Sequence, residues 1–230
     1  MPHKPPPQSW AKLKRSKEEN SLITGWLSLI DHSADVAACC EAALDHTLIQ
    51  YRLATLAGLN NLNLCQRQRL CVLAGYHDVG KFSHGFQNKW FMQAPFKSGH
   101  ILEVLPFLAE KGGPLNDRFA EAMAFDKLST WAADPATVAQ LLIAAICHHG
   151  KPENFEHGDI QKRNWEATTD RDPMTGIAEL TESLKNWFPH AWEPGSPLPS
   201  EPAFQHAFSG LVMLADWIGS DTDFFPLTQE

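Results

Sequence analysis

Along most of this chain apolar residues recur at intervals of three and four, and alternating runs are scarce, so the pattern predicts helices rather than strands. Val36, Ala37, Cys40, Leu44 and Leu48 fall on one helical face and predict a long helix over about 33–57. A second is expected over about 63–76, ending at the Gly-containing segment His77 to Lys81. A third is expected from His100 to Lys111, where Gly112-Gly113-Pro114 stops it, and a fourth from near Asn116. Asp134-Pro135 is a start signal, because the carboxylate caps free amides and proline fits the first helical position. The helix it opens carries Val138, Leu141, Leu142, Ala145 and Ile146 inward and ends at His148-His149-Gly150. Residues 151–171 are polar and read as a surface loop. Asp172-Pro173 opens another helix through Trp187. Prolines at 189, 194, 197, 199 and 202 then mark an irregular connection before a last helix over about 204–220, which carries Asp216. The expected fold class is all-α, with residues 1–20 a polar N-terminal segment and 21–230 one helical domain.

Composition narrows the setting. The 230 residues suit one domain, and 43% hydrophobic residues are enough for a core. No apolar run reaches the ~18 residues of a membrane span. The stretch Met1 to Lys17 is rich in Pro and Lys and lacks the apolar core of a signal peptide, so a cytoplasmic location is expected. The five cysteines are odd in number and form no CxxC pair, which argues against a disulfide framework or a structural zinc site. The net charge of −8 disfavours broad binding to a nucleic-acid backbone. A site of aspartates and histidines turns positive once it holds divalent ions, so a local phosphate site is compatible with an acidic whole.

The segment Tyr76-His77-Asp78-Val79-Gly80-Lys81-Phe82 carries the clearest chemistry. Adjacent His and Asp at a helix end can face one ion, and Gly80 permits the turn. Imidazole with carboxylate suits Mn, Fe, Co or Ni better than Mg or Ca. An isolated His-Asp pair occurs by chance in many chains, so the weight comes from the rest. His32 opens the first long helix, His100 sits at a predicted helix start, and His148 and His149 end an apolar helix. Asp216 stands among Leu214, Ala215, Trp217 and Ile218, where a carboxylate needs a partner, either a metal ion or an arginine. His148 or His149 could equally cap its helix. His3, His46, His157, His190 and His206 have no partner pattern. Trp90 and Phe91, near the His-Asp segment in sequence, are candidates for contact with unstacked bases, although core packing explains tryptophans equally well.

The ordered series His32, His77-Asp78, His100, His148-His149 and Asp216 resembles the HD phosphohydrolase superfamily. More closely, it is similar to the HD nuclease domain of the CRISPR-associated type I nuclease–helicase that acts with Cascade. Trp10-Ala11-Lys12 and Phe86-Gln87-Asn88-Lys89 resemble the I-E subtype, and Asp35-Val36-Ala37, Cys147 to Gly150 and Leu214 to Ser220 extend the likeness over nearly the whole chain. No GxxxxGKS or GxxxxGKT loop is present, so the resemblance implies a helicase supplied as a further domain or subunit. It implies an all-α fold with a dinuclear site. His32, His77, Asp78 and Asp216 would hold one ion, and Asp78, His100, His148 and His149 the other, with Asp78 bridging. His84 is the rival of His100. Lys81 would steady the scissile phosphate, its alternative being a surface lysine, and Asp35 would orient His32 or be simply solvated. Implied partners are single-stranded DNA, the helicase and Cascade. The implied activity is endonucleolytic, with or without 3'–5' exonuclease action, in antiviral interference. A nucleotide phosphohydrolase using the same chemistry is the alternative, and a recruitment module with a purely structural metal is a third reading.

Overall fold

The computed structural model describes residues 6, 8–109, 112–149 and 160–227. Eleven helices hold about half of these residues, and one small antiparallel sheet precedes them. The sheet pairs β1 (Trp10–Arg15) with β2 (Ile23–Ser28), matching Lys12 to Leu27 and Leu13 to Trp26. This hairpin is absent from the sequence expectation, which placed the first 20 residues in a polar segment. The register shifts between Trp10 and Lys12, so two successive residues, Trp10 and Ala11, are both buried and the alternation that marks a strand is lost.

Helix α1 (Leu29–Asp45) starts four residues before the predicted position, because the Ser28 hydroxyl accepts the Asp31 N–H. The expected single helix to Ala57 breaks at His46, which has extended backbone, and α2 (Thr47–Leu56) begins beyond it. The break rotates the second half: α2 buries Leu53 and Ala54, whereas Leu48, expected inside, is half exposed. Helix α3 (Leu64–Gly75) opens with a reciprocal box, in which Asn63 and Gln66 each cap the other's backbone N–H. Short α4 (His84–Gln87) follows the turn that carries Val79–Phe82.

The predicted helix from His100 is replaced by turns and a single-turn α5 (Leu105–Leu108). Pro106 explains this. In a helix begun at His100 it would sit in the interior, without an N–H and against the Leu102 carbonyl, so the helix can start only at Leu105. The expected end of that helix at Lys111 lies outside the described residues. Helices α6 (Pro114–Ala122), α7 (Phe125–Leu128) and α8 (Pro135–Ile146) follow, then α9 (Lys162–Trp165), α10 (Pro173–Trp187) and α11 (Pro202–Gly219). The expected surface loop is described only from residue 160, and it holds α9. The Asp-Pro starts form as expected: Asp134 accepts from Ala136 N–H and Asp172 from Met174 N–H.

Helix α1 packs between α3 and α11, and α11 also packs on α8. Their shared interior is apolar, with Val36, Leu44, Leu70, Leu73, Leu141, Phe204, Phe208 and Val212 fully buried. Cys40 and Cys71 lie in it as small hydrophobes. No helix among the described residues is long and apolar enough to cross a membrane. At one end of the four helices the core gives way to polar side chains.

Candidate metal centre

Each helix of this group delivers its own share of the cluster. His32 lies in the first turn of α1, His77 and Asp78 directly follow α3, His148 and His149 follow α8, and Asp216 sits in the last turn of α11. The turn segment before α5 adds His100. His32, His77, Asp78 and His148 are buried, whereas Asp216 and His100 are partly open and His149 is exposed. Among the described residues, all seven side chains singled out from the sequence as ligands meet here. His84 does not: its Nε2 lies 2.9 Å from the Glu166 carbonyl, away from the cluster.

The two oxygens of Asp78 face different histidines. Oδ2 is 3.3 Å from Nε2 of both His32 and His77, and Oδ1 is 3.3 Å from Nε2 of His100. Asp216 divides in the same way, with Oδ1 3.3 Å from His32 and 3.7 Å from His77, and Oδ2 3.5 Å from His148. Three groups each place ligand atoms within 4.8 Å of one another: His32, His77 and Asp216; His77, Asp78 and His148; His100, His148 and His149.

The histidines are oriented by their own backbone. Nδ1 of His77 lies 2.8 Å from the Ala74 carbonyl and Nδ1 of His148 lies 2.9 Å from the Ala145 carbonyl, each three residues back at a helix end. A carbonyl only accepts, so both Nδ1 atoms carry the proton and both Nε2 atoms turn to the cluster. Nε2 of His32, Nε2 of His77 and Oδ1 of Asp78 are buried without hydrogen-bond geometry to any partner among the described residues. Leaving such atoms unmade costs about 1–3 kcal/mol each. A divalent cation accepting imidazole nitrogen and carboxylate oxygen together removes that cost, so the donor set fits a metal.

The charges of the cluster are set by burial and by one another. Burial disfavours a charged His77, yet the adjacent carboxylates, Asp78 first, prevail and raise its pKa to about 9. Burial also opposes ionised Asp78, but Lys81 and His77 hold its carboxyl well below the usual range. Asp216 is likewise held down, against burial, by the imidazoles of His32 and His77. Burial pushes His100 and His148 down to about 4, so both are neutral near pH 7. The Lys81 ammonium contacts Asp78 Oδ2 directly.

Gly80 permits the turn as expected, since a Cβ there would collide with the backbone carbonyl of His100. One expectation needs revision. Asp35 does not orient His32 by a hydrogen bond, because Nδ1 of His32 has no partner among the described residues. Asp35 acts only through charge, its own pKa being raised by partial burial and eased back by His32.

The residues missed as parts of the site come from α4 and the hairpin. Gln87 accepts the Trp10 N–H at 3.1 Å and donates to the carbonyls of Trp10 at 2.8 Å and Lys81 at 2.7 Å. It thereby ties β1 to the His77–Lys81 turn. Lys12, on β1, reaches the Gly219 carbonyl at 3.4 Å and lies in the field of Asp216, Lys81 and Asp78, its pKa lowered chiefly by burial. Lys12 and Gln87 stood in motifs already noted, but nothing in the sequence joins residue 12 to residue 87 or 219. Phe86 packs on Trp10 at 4.8 Å and edge-on against His100 at 5.7 Å.

Comparison with known proteins places this geometry. The family described as Cas3, HD domain matches residues 10–225. The CRISPR-associated nuclease/helicase Cas3 of Streptococcus thermophilus is 26% identical over 95% of this chain, and the match spans 25% of that protein. A crystal structure of the Thermus thermophilus Cas3 HD domain in the presence of Ni2+ aligns with a TM-score of 0.54 and 24% identity. That alignment covers 87% of this chain and 74% of the other. A chain of a CRISPR RNA-guided surveillance complex, in a pre-nicking state, aligns with a TM-score of 0.55 and 20% identity over 95% of this chain and 25% of that one. The chain thus spans about a quarter of the curated relative's length.

Proposed function

The chain belongs to the Cas3 HD-domain family, and from that premise we propose that it is a metal-dependent nuclease domain cleaving single-stranded DNA in a type I CRISPR interference system. The observation that carries the proposal is Asp78, whose Oδ2 faces His32 and His77 and whose Oδ1 faces His100 on the other side, each at 3.3 Å. That division suits a ligand bridging two ions. His32, His77, Asp78 and Asp216 would hold one; Asp78, His100, His148 and His149 would hold the other. The imidazole-rich set favours Mn, Fe, Co or Ni over Mg.

Bound there, divalent ions supply positive charge to phosphate oxygens and lower the pKa of water. The protein's own groups do the rest. Asp78 and Asp216 stay ionised and offset the cationic charge. The backbone carbonyls of Ala74 and Ala145 keep His77 and His148 in the one tautomer that leaves Nε2 available. The Lys81 ammonium, which contacts Asp78 Oδ2 beside the cluster, is placed to steady charge developing on the substrate phosphate. A strand delivered by a helicase domain or subunit, on target DNA selected by a surveillance complex of the Cascade kind, meets the need for an unpaired substrate. The names of the relatives support this reading.

The test is a panel. Purified protein, stripped and reloaded separately with Mn, Co, Ni and Mg, is incubated with labelled single-stranded DNA, matched blunt duplex and nucleoside triphosphates. Cleavage of the single strand, with transition metals ahead of Mg and duplex nearly untouched, is expected. Triphosphate hydrolysis without DNA cleavage would move the assignment to a nucleotide phosphohydrolase.

A further inference from the structure

The metal centre does not stand alone on its side of the molecule. Beyond Lys81, the chain runs through α4 and the Asn88–Trp90 turn into a cleft of about 860 Å³. One wall of the cleft is the hairpin's tip, including Leu22 and Ile23; the other is residues 90–95, including Phe91, Met92 and Pro95. Phe91 and Met92 are substantially exposed. Phe86, buried next to the centre, makes a T-shaped contact with His100, while the Lys81 ammonium lies 5.5 Å and the Lys89 ammonium 4.4 Å from its ring centre. Lys97, exposed, donates to the Met92 carbonyl at 2.8 Å on the cleft's far wall. Lys89 lies within the field of both Lys81 and Lys97. Two ammonium groups, Lys81 and Lys89, thus share the Phe86 ring beside the metal centre, and a third, Lys97, is bonded to Met92 of the cleft wall, in a protein whose net charge is −8. Glu103 and Glu19 are the acidic neighbours, Glu103 near Lys89 and bound to the Gly99 N–H, Glu19 on the hairpin wall.

We infer that Lys81, Lys89 and Lys97 form a phosphate track that leads a single strand from the metal centre into this cleft, where an unstacked base lies against Phe91. The inference rests on the nuclease reading and extends it to the side of the site along which the strand runs. A row of cations beside an exposed aromatic is the arrangement that holds single strands without sequence readout: cations track the backbone and the ring accepts any base face. A rigid duplex would not follow it, because its bases are already paired and stacked. An apolar peptide would fit the cleft wall but has no use for the lysines.

Binding, rather than cleavage, tests this directly. Fluorescence anisotropy with a labelled oligo-dT on metal-loaded protein is measured over a salt series for wild type, Lys89→Gln, Lys97→Ala, Phe91→Ala and a control, Lys185→Ala, which removes the same charge far away on α10. Lys89→Gln and Lys97→Ala should each weaken binding several-fold and lower the slope of log K against log salt by about 0.7, the value for one phosphate contact on a single strand. Phe91→Ala should weaken binding without changing that slope, and Lys185→Ala should change neither. Metal content and thermal melting, unchanged in the variants, exclude a folding effect. Equal affinity and slope in wild type and both lysine variants, or no binding by wild type, overturns the track. Hydrolysis of a small diester, bis(p-nitrophenyl) phosphate, by wild type is followed separately: its absence refutes the nuclease reading, whereas its presence with an unaltered salt slope refutes the track alone.

Discussion

Asp78 holds the site together because its oxygens are shared, and His77 shows what that sharing does to a neighbour. Two carboxylates keep a proton on His77 up to about pH 9 in the metal-free protein. Nδ1 is already committed to the Ala74 carbonyl, so the proton that titrates is on Nε2, the nitrogen proposed as a metal ligand. The sign follows: below about pH 9 metal binding expels this proton, so affinity rises with pH and falls as His77 charges. His100 and His148, titrating near 4, release none at pH 7. Calorimetry with Mn2+ at pH 7 in buffers of different ionisation enthalpy should therefore show net proton release of about one per chain from this source; an enthalpy independent of buffer would contradict it. Gly80 makes a second prediction. Its hydrogen is all that fits beneath the His100 carbonyl, so Gly80→Ala should push the His100 segment outward. The expected cost is about 1–3 kcal/mol from overpacking, with one of the ions lost preferentially. Thermal unfolding and elemental analysis would check both, and an unchanged metal content would count against the placement of His100.

At the scale of elements, the site depends on a hairpin that contributes none of the proposed ligands. Gln87 substitutes for a strand neighbour, pairing with both backbone groups of Trp10 while holding the Lys81 carbonyl. Gln87→Ala should leave these groups unpaired in a buried setting, at about 1–3 kcal/mol, and should reduce cleavage as Lys12 and Lys81 lose their fixed positions. Urea unfolding alongside a cleavage assay measures both; wild-type stability would show that the clamp is dispensable. The same elements show what can be read from residues in a row. Asp134-Pro135 and Asp172-Pro173 announce α8 and α10 because cap and proline act locally. The break at His46 carries no Gly or Pro, and so leaves no mark in the pattern. Pro106 carries a local signal against a helix begun at His100. The hairpin is hidden by its register shift, which spoils alternation. The metal-ligand candidates were legible as a series only through their resemblance to a family. That Asp78 faces two histidine sets, or that residue 12 lies near residue 219, is a matter of packing that local pattern does not encode.

Over the whole molecule, four helices bury an apolar body and direct their polar ends to one place. The fold can hold ionised carboxylates there because each is surrounded by imidazoles, by Lys81 and, in the proposed working state, by metal. A net charge of −8 leaves the rest of the surface unsuited to general DNA binding. The proposed cleavage therefore rests on the metal centre and the few lysines beside it. The most direct test is to titrate stripped protein with Mn2+ while following cleavage of a labelled single-stranded oligonucleotide, in wild type and in Asp78→Ala, with circular dichroism confirming that the variant keeps its helices. The account predicts no cleavage by stripped protein, a rise that saturates at about two ions per chain, and a rate at least ~100-fold lower in Asp78→Ala, beyond the usual effect of changing an outer-shell partner of a metal. Cleavage that persists in the stripped protein, or a wild-type rate in folded Asp78→Ala, would contradict it.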